Sequence, residues 1–257
     1  MRLIDSHCHI HESEFFAVEE REAAYQRAIE TDIAMILVGT SEVGSVEALE
    51  FASNHTDAYA VIGVHPHETS KGYQKIAELL AAGAKPVGIG EIGLDYFYMH
   101  TDRATQIAGL EQQLQWAQDY DLPVSFHVRD YHDTTEGSVF DDFWPIFDNF
   151  SGVRGVLHSF TDNRINLDRA LQRDLYIGVN GIATFAPARE AVYRAVPLSK
   201  ILLETDSPFL TPTPLRGTIN EPKNVGLVAE FIARRRNIAI SDVAEVTTDN
   251  TKRLFRI

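Results

Sequence analysis

Residues 1–10, MRLIDSHCHI, contain a short apolar run, Arg2–Ser6, that passes directly into His7-Cys8-His9. An extended strand turns alternate side chains to one face, with α-carbons two apart separated by roughly 6.5–7 Å. His7 and His9 therefore point the same way and can converge on one metal ion. Asp5 shares that face and can orient a ligand by hydrogen bonding. Cys8 points to the opposite face and reads as a small buried hydrophobe. A strand that ends in ligands directs attention to the ends of the other apolar runs.

There are seven more such runs: Ile33–Val38, Tyr59–Val64, Pro86–Glu91, Pro123–His127, Arg154–His158, Leu175–Val179 and Lys200–Thr205. Several are rich in Val, Ile and Leu with little alternation, as expected of parallel strands covered on both sides. The segments between them carry helical periodicity. In Asp102–Asp121 the residues Ile107, Leu110, Leu114 and Ala117 form one apolar stripe. Glu19–Thr31, Val43–His55, Tyr73–Ala82 and Glu221–Arg235 behave alike. Eight alternations without a linker or repeat predict one α/β domain over residues 1–257, a (β/α)8 TIM barrel. The rival, an open doubly wound sheet, lacks its G-x-G-x-x-G fingerprint: Gly88-Ile89-Gly90 is followed by Glu91 where a helix should begin.

The 257 residues are 44% hydrophobic and 23% charged, enough for a sizeable core, and the net charge is −14. Such a surface repels phosphates and anionic membranes, so docking through a broad basic face is excluded, although a local metal cation can still accept a phosphate. One cysteine excludes a disulfide framework. No apolar run approaches the ~18 residues of a membrane span, and no signal-peptide pattern is present. These features predict a cytoplasmic protein with no membrane association and no obligate protein partner.

The chemistry gathers at the C-terminal ends of the strands. The third run leads into Gly63-Val64-His65-Pro66, the fourth ends in Glu91, the fifth in His127, the sixth in His158, and the eighth leads into Glu204-Thr205-Asp206. In a (β/α)8 barrel that rim carries the active site. One such histidine would read as an ordinary core residue, but a stability role predicts no preference for this end. Strict alternation puts Val87, Ile89 and Glu91 on one face, Ser125, His127 and Arg129 on another, and Glu204 one layer below Asp206. Imidazoles with two carboxylates suit Zn, Mn, Fe or Co, whereas Mg prefers oxygen. Glu91, midway round the barrel, is the candidate bridge between two divalent ions about 3.5–4 Å apart. Arg129 and Arg216 are candidate phosphate partners. Phe15, Phe97 and Phe209 can stack a base or simply close the core. His11, His55, His67, His100 and His132 read as solvated or packing histidines.

Beyond these residues the chain resembles the TatD-family metal-dependent deoxyribonucleases, within the amidohydrolase-like barrels, along essentially its whole length. The resemblance rests on IDSHCHI, GVHPHE at 63–68, GIGEIGLDY at 88–96, Gln106 and Gln112 on one helix, and PVSFHVRD at 123–130. It continues through VLHSF at 156–160, LLETDSPFLTP at 202–212, RGTINEP at 216–222 and DNTKRLF at 249–255. It implies one metal site of His7, His9, Glu91 and Asp206, and a second of Glu91, His127 and His158. Asp206 would accept the proton of the attacking water, and His65 would line the pocket near substrate phosphate. It further implies exonuclease or endonuclease action on DNA, sometimes RNA, supported by Mg or Mn with Zn a frequent occupant. Two departures stand out: Asp162 replaces the family's glycine after HSFT, and Tyr131–Ser138 is polar and acidic.

Three functions compete on these residues. Phosphodiester hydrolysis at DNA or RNA ends, or of a small phosphodiester, uses two ions to supply hydroxide and stabilise the leaving oxygen. Hydrolysis of a small amide, lactone or cyclic ureide usually needs a carboxylated lysine at the end of strand four. Glu91 stands there, and Lys85 precedes the strand at the wrong end. A metal-binding scaffold or DNA-end-binding role leaves the assembled rim without a purpose. Phosphodiester hydrolysis is the expected activity.

Overall fold

The structure, a computed structural model, describes residues 2–130 and 138–257. Eight parallel strands run β1 Leu3–Cys8, β2 Ile33–Val38, β3 Ala58–Ile62, β4 Gly88–Asp95, β5 Val124–Arg129, β6 Gly155–Leu157, β7 Tyr176–Val179 and β8 Ile201–Leu203. Each pairs with the next in sequence. Helices α1 Val18–Ile29, α2 Glu42–Asn54, α3 Gln74–Ala81, α4 Arg103–Asp119, α5 Val139–Asp148 and α6 Arg164–Gln172 connect the first seven strands. Two short helices, α7 Ile182–Phe185 and α8 Glu190–Ala195, precede β8, and α9 Val225–Arg236 and α10 Ile240–Phe255 follow it. The ring closes where Cys8 bridges Ser207, with Asp206 N donating to His7 O (2.9 Å) and His9 N to Ser207 O (2.8 Å). The eight predicted runs each contain or overlap an observed strand, and the predicted (β/α)8 architecture is the observed one.

Two layers of core follow from this closure. Ile4, Ile36, Val61, Val156 and Leu202 fill the barrel interior together with Leu254 and Phe255 from α10. Leu3, Cys8, Met35, Leu37, Ile89, Ile92, Val124 and Phe126 pack outward under the helices. Burying these side chains is the main force for closure, at about 25 cal/mol per Å² of apolar surface removed from water.

The structure corrects the strand parity at two places. On β1, Asp5 lies opposite Met35 and Cys8 opposite Leu37, so three steps on β1 match two on β2. On β4, Ile89 pairs with Val124 and Ile92 with Phe126, again three steps against two. Ile89 therefore faces outward while Glu91 does not share its face. Each strand takes up one extra residue in the stretch that carries its candidate ligand, His7 on β1 and Glu91 on β4, as bulges beside active sites do to re-aim a side chain. Beyond the β4 bulge, alternation resumes through Gly93 to Asp95. Gly93 has φ +154°, and a Cβ there would stand 1.7 Å from His127 O, so only glycine lets β4 lie this close to β5.

Candidate metal centre

Five of the eight strands deliver imidazole or carboxylate groups to one buried point at the C-terminal rim, with His65 arriving on the loop after β3. Glu91, at 4% exposure, is its centre. Its Oε2 lies 3.3 Å from His7 Nε2 and 3.9 Å from His9 Nε2. Its Oε1 lies 2.8 Å from His127 Nδ1, 3.8 Å from His65 Nε2 and 3.9 Å from His158 Nε2. Asp206 Oδ1 approaches His9 Nε2 (3.3 Å), His158 Nε2 (3.6 Å) and His7 Nε2 (3.8 Å). Asp206 reaches this position from a left-handed backbone, φ +58°.

The ligand atoms form three groups compact enough to hold a metal ion: His7, His9 and Asp206; His7, Glu91 and His158; His65, Glu91 and His127. All six residues expected as ligands lie in this cluster. Their grouping differs from the one the resemblance implies. His158 stacks on His7, with ring centroids 3.5 Å apart, and His65 stands beside Glu91 and His127.

The donor chemistry fits a divalent cation. His7 Nε2 and His9 Nε2 face each other at 3.1 Å. Two such lone pairs need something positive between them, either a proton or a metal ion. The far nitrogen of each expected histidine ligand faces a buried group, within hydrogen-bonding reach at His7, His9 and His127 and as an ion-pair approach at His158. His9 Nδ1 donates to Val38 O (2.7 Å) and His127 Nε2 to Asp95 Oδ2 (2.8 Å). His7 Nδ1 sits 3.1 Å from Ser125 Oγ and His158 Nδ1 3.2 Å from Glu204 Oε1. Such anchoring fixes tautomer and ring plane, leaving the inner nitrogen as donor. Asp95 is itself fixed by Phe97 N and Tyr98 N, each 2.9 Å from Oδ1.

Sequence reading missed Asp95 and Ser125 as anchors. The signal was available in parity, since Asp95 lies four residues beyond Glu91 and Ser125 two before His127. Asp5 holds backbone and hydroxyl groups rather than a ring: it accepts from Thr205 N (2.8 Å), Thr205 Oγ1 (2.5 Å) and His7 N (3.3 Å). It thereby ties β1 to the segment carrying Asp206. Asp162 Oδ1 accepts from Asn163 N (2.7 Å) and Asn166 Nδ2 (2.8 Å) at the start of α6.

Arg129 is exposed, its guanidinium 4.3 Å from the Phe97 ring centre and 4.9 Å from that of Tyr98. Arg216 lies 3.8 Å over Phe185 and donates to Thr211 O (2.9 Å). His67 stands 3.1 Å from Asp95 Oδ2, while His100 is exposed and belongs to none of the three groups. His11 is fully buried with no hydrogen-bond partner for either ring nitrogen among the described residues. His132, in the acidic segment 131–137, lies outside the described residues.

Protonation follows from this packing. Burial opposes charge on His9, His127 and His158, yet carboxylates overcome it: Asp206 raises His9 to about 9, Asp95 and Glu91 raise His127 to about 9, and Glu204 and Asp206 raise His158 to about 10. Burial lowers His7, reinforced by His158, and lowers His65, reinforced by His127. Against burial, His7 and His65 hold Glu91 well below the ordinary carboxylate range, and His158 and His9 hold Asp206 below it.

For chelator-treated protein the signs give a definite pH window. The raised histidines stabilise the fold fully below about pH 6.5 and lose that contribution as pH rises through about 9 to 10. The lowered His7 and His65 contribute only above about pH 6.5. Melting temperature is therefore expected to peak near neutrality and fall toward pH 10. Divalent metal should hold it up on that alkaline limb, because metal and protons compete for the same lone pairs. Thermal melts at pH 6, 7, 8.5 and 10 with and without metal test this. A chelated protein that gains stability from pH 7 to 10 contradicts it.

Known proteins place this arrangement in context. A family model described as TatD related DNase matches residues 4–256. An Escherichia coli K12 protein named uncharacterized metal-dependent hydrolase YcfH is 33% identical over 263 aligned positions, covering 100% of this chain and 97% of its own. The 3'-5' ssDNA/RNA exonuclease TatD of Citrobacter rodentium is 32% identical over 251 positions, covering 93% of each chain. The crystal structure of YjjV, a TatD homologue from Escherichia coli K12, superposes with a TM-score of 0.88 at 29% identity, covering 100% of this chain and 98% of that one. With its barrel and its cluster of side chains able to ligate a metal ion, the chain belongs to the TatD-related DNase family of metal-dependent hydrolases.

Proposed function

We propose that the protein hydrolyses phosphodiester bonds at the ends of DNA or RNA strands, using two divalent ions held by His7, His9, Glu91, His127, His158 and Asp206. One observation carries the reading: four imidazoles, three hydrogen-bonded through the outer nitrogen and His158 approached there by Glu204, turn their inner nitrogens toward two carboxylates. Glu91 suits the shared position because its two oxygens face different histidines. Divalent ions at such donors polarise a phosphoryl oxygen and lower the pKa of a bound water. Asp206 accepts the water's proton, being the more exposed carboxylate of the pair. His65 lines the pocket beside Glu91, and Arg129 and Arg216 offer forked donors to phosphate oxygens at the mouth. The exonuclease name of the Citrobacter relative supports nucleic acid as the substrate class.

The test is turnover of end-labelled single-stranded DNA, duplex DNA and RNA beside a panel of small amides and lactones. Activity on nucleic-acid ends should vanish with chelator and return with Mg or Mn. Metal-restored turnover of the amides alone would replace this function with amide hydrolysis.

A further inference from the structure

Among the described residues four aromatic side chains are exposed: Phe15, Tyr98, Tyr120 and Phe209. Tyr120 ends α4 at the far side of the barrel, whereas the other three follow β1, β4 and β8 at the rim that carries the metal centre. Phe15 and Phe209, 36% and 46% exposed, meet edge to face with centroids 5.1 Å apart. Neither ring sits on a loose loop. Phe209 N donates to Asp206 O (2.8 Å), and the fully buried Asn220 donates through Nδ2 to Phe209 O (2.7 Å) and Thr205 O (3.0 Å). On the other side Glu12 N donates to His9 O and Phe15 N to Glu12 O, both 3.1 Å. Each ring is thus tied by hydrogen-bonded turns to a residue of the metal centre.

We infer that the Phe15–Phe209 pair is a stacking subsite for the unpaired base of the terminal nucleotide, with Phe209 offering its face and Phe15 supporting it. This rests on the nuclease reading and adds to it the residues that hold the terminal base. The physical need is clear from the charge. At −14 the protein has little beyond the ions and the two arginines at the mouth with which to hold a polyanion through its phosphates. Stacking on an aromatic face supplies attraction that carries no charge and accepts any base. A base inside a duplex is covered on both faces, whereas an unpaired terminal base offers a free face to the ring.

The experiment compares single-stranded oligonucleotides ending in adenosine or in an abasic residue, cleaved by metal-loaded wild type, Phe209→Ala and Phe209→Trp. Wild type should show a KM for the adenosine end lower by about fivefold to a hundredfold, the usual range for one stacked base. Phe209→Ala should bring the two KM values together, and Phe209→Trp should keep them apart. In chelator-treated protein, a terminal 2-aminopurine should lose fluorescence on binding wild type and keep it with Phe209→Ala. Equal KM values for both ends in wild type, or an undiminished ratio in Phe209→Ala, overturn the subsite alone. Failure of wild type to cleave any nucleic acid removes the nuclease reading and the subsite with it.

Discussion

Glu91→Ala is expected to abolish metal-stimulated hydrolysis and to lower the divalent metal retained by the protein. Glu91 stands within 4 Å of five imidazoles, and its oxygens divide between them. Alanine leaves His127 Nδ1 without its 2.8 Å partner and, among the described residues, leaves Asp206 as the one carboxylate within 4 Å of the Nε2 atoms of His7, His9 and His158. Losing one hydrogen-bond donor to a developing charge already costs roughly 10²–10³ in rate. If Glu91 is the proposed bridge between two ions, losing it should cost more than about a thousandfold. Metal content by mass spectrometry and turnover of end-labelled DNA measure the two effects separately. His100→Ala, an exposed residue outside the three ligand groups, is the control and should match wild type. Undiminished metal-stimulated turnover by Glu91→Ala would defeat the bridging role.

The architecture was legible because burial on both faces writes itself into parallel strands as uninterrupted Val, Ile and Leu. Ile33–Val38 was read to the residue. Ligands at strand ends were legible for a related reason, since a polar group closing an apolar run has little cause to be there except the rim. Finer geometry was not. Strict alternation grouped Ile89 with Glu91, and the extra residue between Ile89 and Ile92 separates them. A bulge depends on how neighbouring strands meet, which no single strand's pattern records. The split of His65 and His158 between ligand groups is likewise a property of the closed ring. His65 lies beyond the end of β3, and only the loop's path brings it within 3.8 Å of Glu91. Asp162 shows the converse: a departure from the family's glycine is taken up by hydrogen bonds at the start of α6.

Asp206→Asn should separate proton transfer from folding. The backbone at 206 is left-handed, φ +58°, a conformation that asparagine tolerates well and alanine does not. Asp206 N still donates to His7 O and Asp206 O still accepts from Phe209 N in the variant, since both are main-chain bonds. The amide keeps an oxygen for His9 and His158 but cannot take a proton at neutral pH. General-base catalysis typically contributes 10²–10⁴-fold, so kcat should fall by about that factor with KM changed far less. In wild type, Asp206 is held below the ordinary carboxylate range by His158 and His9 despite burial, so it should work as a base well into mild acid. The acid limb of the wild-type profile should then reflect protons displacing metal from the histidines, and extra metal should shift that limb to lower pH. An Asp206→Asn enzyme with wild-type kcat would assign the proton to another group. A variant that loses metal as completely as Glu91→Ala would trace the lost rate to Asp206's part in holding the ions and not to proton transfer.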